Sequence, residues 1–157
     1  ILTESIRLIK GNKHRSKLLT YLSTDSFNRS IKNPKTSVDW LSKNEESNQA
    51  YLKDPFCQFI PTIPMYRSIF YFSNQVASKQ VIDEIPAQLP ILVISGQEDP
   101  LGENGKGIER FVKLLKASHS KVSVRVVEEA RHEILNENNR NDTYHFIADW
   151  MTKNTDV

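Results

Sequence analysis

Two short segments carry residue types able to pass a proton between them. Ser95-Gly96-Gln97-Glu98-Asp99-Pro100 closes one apolar run, and Glu129-Ala130-Arg131-His132-Glu133 closes another. Asp99 and His132 stand 33 residues apart. That is about the length of one strand–helix–strand crossover in a parallel sheet. Catalytic groups of parallel α/β sheets sit beyond the carboxyl ends of the strands. A carboxylate placed there fixes the tautomer of a facing imidazole and stabilises its protonated form. The imidazole then serves as general base toward a hydroxyl. Each residue alone has a blander reading. Asp-Pro after a strand is ordinarily a turn, and a loop histidine is ordinarily solvated surface. Their placement after two successive strands is what lifts the pair above that.

Local patterning identifies the elements that must hold this pair. Leu89 to Ser95 (LPILVIS) is an apolar strand stopped by Gly96. Gly107 to Ala117 is a helix, with Ile108, Phe111, Val112 and Leu115 on one face. Val122 to Val127 (VSVRVV) is a second, β-branched strand, and Asn141 is expected to cap a last helix with Tyr144, Ile147, Trp150 and Met151 on its inner stripe. Strand, helix, strand, helix is parallel α/β order. Residues 85–157 form this block; residues 1–84 read as helices and irregular connections. There Leu18, Leu19 and Leu22 share a face, and Ser42 with Glu45 has capping-box spacing ahead of a helix to about Leu52. Asp54-Pro55 breaks that helix. Another begins after Pro64, with Tyr66, Ile69, Phe70 and Val76 expected inward. Two strands are fewer than a buried parallel sheet needs. Further strands are therefore expected upstream of Ile1, with the chain one part of a larger fold; the other reading is that residues 1–84 hide strands of their own.

A hydroxyl nucleophile on a strand-to-helix elbow has the pattern G-x-S-x-G. The five glycines, Gly11, Gly96, Gly102, Gly105 and Gly107, bracket no serine in that way. Ser95 reads as a strand-end residue. Ser118 and Ser120 lie in a helix-to-strand loop at the opposite end of the strands from Asp99. His14, His119 and His145 have no metal-ligand spacing with one another or with Cys57, so no metal is expected.

At this point the sequence resembles a known family. Leu89 to Pro100 looks like the strand and acid turn of serine α/β-hydrolases of the lysophospholipase and monoacylglycerol lipase type. Gly105-Lys106-Gly107 and its helix are similar to the family's segment just after that turn. Arg131-His132-Glu133-Ile134-Leu135-Asn136-Glu137 resembles the family's histidine loop, and Asp149-Trp150 its last helix. Ser26-Phe27-Asn28, Thr36 to Ser42 and Asp54-Pro55-Phe56-Cys57 are similar to its helical cap. The resemblance implies an α/β class, namely the C-terminal part of an α/β-hydrolase fold preceded by a cap. It implies Asp99 as triad acid and His132 as base, with no nucleophile in this chain. The serine and its oxyanion hole would lie in the missing N-terminal half, and the isolated chain would be inactive. It implies a small lipid-like ester as substrate, peripheral membrane contact through that substrate, and no cofactor. Glu129 departs from the small residue more usual there. It either raises the pKa of His132 or faces solvent. The alternative is a non-catalytic ligand-binding or interaction module on the same fold, or an inactive fragment.

Composition agrees with an ordinary globular chain. It has 157 residues, 38% hydrophobic and 25% charged, with net charge +2. Both signs are mixed along it, which gives no footprint for nucleic acid. No apolar run is long enough to span a bilayer. A single cysteine, Cys57, fits a reducing, cytoplasmic setting.

Overall fold

The computed structural model describes residues 2–154. The helical region comprises α1 (Leu2–Lys10), α2 (Lys17–Ser23), a 3-10 turn (Asp25–Ser30), α3 (Glu45–Lys53), α4 (Ile63–Val76) and α5 (Lys79–Glu84). Then come β1 (Ile91–Gly96), α6 (Lys106–Ser118), β2 (Val122–Val127) and α7 (Arg140–Asn154).

The two strands pair in parallel, Ile91 beside Val122 through to Gly96 beside Val127. They are the only strands among the described residues. α6 connects them and buries Val112 and Leu115. Both carboxyl ends therefore emerge at one edge. At Gly96 the first strand end comes close against the loop that follows β2. A Cβ built on this glycine would stand 2.0 Å from the Arg131 carbonyl oxygen and 2.5 Å from that of Ala130. Only glycine fits such an approach. At the other end of α6, buried His119 sits between two backbone carbonyls, Leu115 O at 3.1 Å and Ile85 O at 3.0 Å. Its ring ties the end of α5 to α6.

Packing corrects four expectations. The cap of α3 is Asn44, whose side chain accepts from the amides of Glu46 and Ser47. The Ser42 hydroxyl is engaged instead with Glu137, and it accepts from the Asn44 amide. α4 buries Ile63 and Tyr66 against Leu19 of α2, with Ile6 beside them. Ile69, Phe70 and Val76 stay exposed, because that small cluster meets only the first turns of the helix. The leucine face of α2 is buried only at Leu19, with Leu18 and Leu22 exposed. Asn141 lies inside α7 rather than at its cap, and Tyr144 and Met151 of its expected inner stripe are exposed while Thr143 is buried. No helix among the described residues is long and apolar enough to cross a membrane.

Candidate active site

Asp99 sits in the turn after β1, where its Oδ1 accepts from the Leu101 amide at 2.9 Å. His132 sits in the loop after β2. Its Nδ1 lies 3.1 Å from Asp99 Oδ2. The carboxylate is nearly buried, and the imidazole is one-third exposed. Nε2 makes no hydrogen bond among the described residues. The acceptor on one nitrogen and the open side on the other define the tautomer, with the proton on Nδ1 and a lone pair on Nε2.

The electrostatics match this geometry. Burial pushes the Asp99 carboxyl up. The hydrogen bond and charge of His132, with the Leu101 and Gly102 amides, outweigh burial and hold it below the ordinary carboxylate value. The hydrogen bond to Asp99 raises His132 above an ordinary histidine, against the opposing effect of burial. The charges of Asp99 and Glu133 add to that rise. Glu129, left open by the sequence, is exposed and sits at φ 55°. It faces solvent. Left-handed backbone is costly for a residue with a Cβ, which is a physical reason to find glycine at such a place.

The histidine loop is bound to a segment far upstream. Glu137 is only 1% exposed. Its carboxylate accepts from the Arg131 amide at 2.7 Å, the Ser42 hydroxyl at 2.8 Å and the Lys43 amide at 2.8 Å. Arg131 Nη1 donates to the Asp39 carbonyl at 2.6 Å, and the Glu133 amide to the Leu41 carbonyl at 2.7 Å. Lys43 Nζ pairs with Glu98 Oε1 at 2.7 Å, joining the same segment to the acid turn. Asp39 accepts from the Thr36 hydroxyl and from the Lys35 amide at 2.6 Å. The ring of Trp40 packs on His132 with centroids 5.1 Å apart.

A family model described as serine aminopeptidase, S33, matches residues 6–139. The chain belongs to this family. Among solved structures, a thermostable carboxyl esterase from Bacillus coagulans, in complex with glycerol, is similar at TM-score 0.82 and 23% identity, over 98% of this chain and 50% of that one. A lipase in an open form is similar at TM-score 0.84 and 18% identity, over 99% of this chain and 51% of that one. No curated protein matches the chain. The S33 chain thus has the fold of part of an α/β-hydrolase, and it spans about half the length of these two structures.

Within this S33 chain no serine of the described residues hydrogen-bonds His132. Ser95 is buried, and its hydroxyl donates to the Gly96 carbonyl at 3.3 Å. Ser118 bonds Asp83 at 2.7 Å, away from the pair. Among the described residues no three His, Cys, Asp or Glu side chains are grouped to hold a metal ion. Sequence reasoning passes over Trp40, Ser42 and Glu137 as site residues. A tryptophan set in the mostly polar stretch Lys35 to Asn48 is a signal of an anchored ring. Nothing in the type of Glu137 announces it, since glutamate is rarely buried.

Proposed function

We propose that this chain supplies the acid and base of a serine hydrolase, Asp99 and His132. The observation that carries the reading is the His132–Asp99 hydrogen bond at 3.1 Å, formed past the carboxyl ends of paired parallel strands with Nε2 left open. The nucleophile belongs to a segment outside this chain. A serine hydroxyl there attacks the scissile carbonyl while His132 Nε2 takes its proton. Asp99 holds the ring and balances the imidazolium charge. His132 then returns the proton to the leaving oxygen, and a second round with water frees the enzyme.

Carboxylic esters of lysophospholipid or monoacylglycerol type are the substrate class that fits best. Exposed Phe56, Phe59, Phe70 and Phe72 offer apolar surface of the kind an acyl chain requires. Such a substrate would bring the protein to a membrane surface only peripherally. The family's description favours a second reading, in which the scissile bond is an amide at a peptide N-terminus.

A fluorophosphonate probe with intact-mass readout tests the triad. The complete protein should take one label, and this chain alone none. Asp99→Asn should lower kcat about 10⁴-fold, and His132→Ala at least as much. Near-wild-type turnover in both variants would sink the proposal. A complete protein that takes no label would leave a ligand-binding module in its place. Acyl esters of graded length set against aminoacyl anilides would separate the two substrate readings.

A further inference from the structure

Trp40 and His132 are brought together by a paired arrangement of their neighbours. Arg131 donates to the carbonyl of Asp39, and Glu133 donates to the carbonyl of Leu41. The two residues flanking the histidine thus hold the two residues flanking the tryptophan. Between these bonds the two rings meet, centroids 5.1 Å apart and tilted by 35°. Trp40 is 8% exposed. Phe27 also packs against it, at 5.2 Å between centroids. The Trp40 amide donates to Asn28 Oδ1 at 3.0 Å, and Asn28 donates in turn to the Thr36 carbonyl at 2.7 Å. The indole is therefore a fixed surface, placed within the range of attractive aromatic geometry.

A fixed surface is what this histidine needs. The terminal torsion of an imidazole is broad. One hydrogen bond at Nδ1 tethers the ring at a point and leaves its plane free to swing. A wall against the ring face removes that freedom. The same wall faces an imidazolium when His132 carries the proton, and a cation over an indole face is attracted to it. Glu137 holds the wall in place through Ser42 and Lys43 on one side and Arg131 on the other.

We propose that Trp40 is a positioning residue for His132, an aromatic wall that fixes the plane of the base beside Asp99. This rests on the reading of His132 as the base. The test uses the complete protein, with the reactive fraction counted by fluorophosphonate titration and kcat expressed per labelled site. Trp40→Ala is expected to cut kcat per site about tenfold or more, with KM within about twofold of wild type. Trp40→Phe, which keeps an aromatic face, should recover to within about threefold of wild type. Trp40→Leu keeps bulk without that face. It should match the alanine variant, and it carries the comparison if alanine fails to fold. A merely structural tryptophan would lower the labelled fraction and leave kcat per site unchanged, which would overturn the proposal. So would Trp40→Leu turning over like wild type. A wild-type protein that takes no label would instead overturn the hydrolase reading, and this inference with it.

Discussion

The segment 35–48 and the segment 56–76 meet water in opposite ways. The first is polar in sequence, yet Asp39, Trp40, Leu41, Ser42, Asn44 and Asn48 are buried. The second is rich in Phe, Ile and Tyr, yet only Ile63 and Tyr66 are buried in it, and Phe56 is 85% exposed. The difference lies in what each has to pair with. The first finds backbone donors and acceptors in the histidine loop, so burial leaves its polar groups satisfied. The second has a small apolar cluster at its helix start, and its later apolar side chains stay exposed. Around this site, directional bonds decide what is buried, and hydrophobicity alone does not.

The largest break in that order should come at Gly96→Ala. The added methyl meets two consecutive backbone carbonyl oxygens of the histidine loop, Arg131 at 2.0 Å and Ala130 at 2.5 Å. That loop backbone is itself bonded, Ala130 O accepting from the Glu98 amide at 2.8 Å, and cannot yield as a flexible side chain can. A loss of about 3 kcal/mol or more is expected, with β1 and the histidine loop forced apart. Chemical denaturation monitored by circular dichroism would show it. A stability equal to the parent would mean that the two loops do not sit as described.

Glu137→Ala is expected next. It removes one carboxylate and strands three donors, the Ser42 hydroxyl and the amides of Lys43 and Arg131. Each buried group left unpaired costs about 1–3 kcal/mol, and some relaxation is certain, so about 3 kcal/mol in all is expected. Glu137→Gln should lose less, since its amide oxygen still accepts. Equal losses in the two variants would show that volume, not the acceptor, is what matters there.

Much of this is legible in the residues alone, and the rest is hidden for a definite reason. β2 and α6 come from β-branched and helical spacing, which are local properties. The approach of Asp99 to His132 comes from chain order alone, because one crossover returns the second strand beside the first. The contact of Trp40 with His132 does not. It depends on bonds such as Arg131 to Asp39, across 92 residues of chain. The cap of α3 is hidden for the same reason. Ser42 and Asn44 are both good caps, and Glu137, remote in sequence, decides between them. The face of α4 misleads differently, since periodicity says which residues could be inward and not whether a partner stands there.

Acidity gives a smaller and finer test. The depressed Asp99 contributes stability that is full above its unfolded value of about 3.9, and it is lost as pH falls through the folded value. The raised His132 contributes stability that is full below about 6.5, and it is lost as pH rises through its higher folded value. The pair therefore supports the fold most between those two limits. The gap in denaturation midpoint between parent and His132→Gln should be widest near pH 5 and shrink on the alkaline side. A gap independent of pH would argue against the pairing. In the complete protein the neutral base is required, so kcat/KM should rise with pH through a value above that of a free histidine.

The smallest effect on stability is expected in the exposed apolar segment. Phe56 and Phe72 lie largely in water, so Phe56→Ser and Phe72→Ser should each shift the stability of this chain by no more than about 0.5 kcal/mol. Their effect should be felt elsewhere. Exposed apolar surface drives association, so the double variant should bind less hydrophobic dye and sediment as a smaller species. In the complete protein the same pair should raise KM for long acyl esters more than for short ones, if these rings line the acyl path. A large loss of stability would mean that the rings are covered in solution, by a second copy or by another part of the chain, and the contrast between the two segments would narrow accordingly.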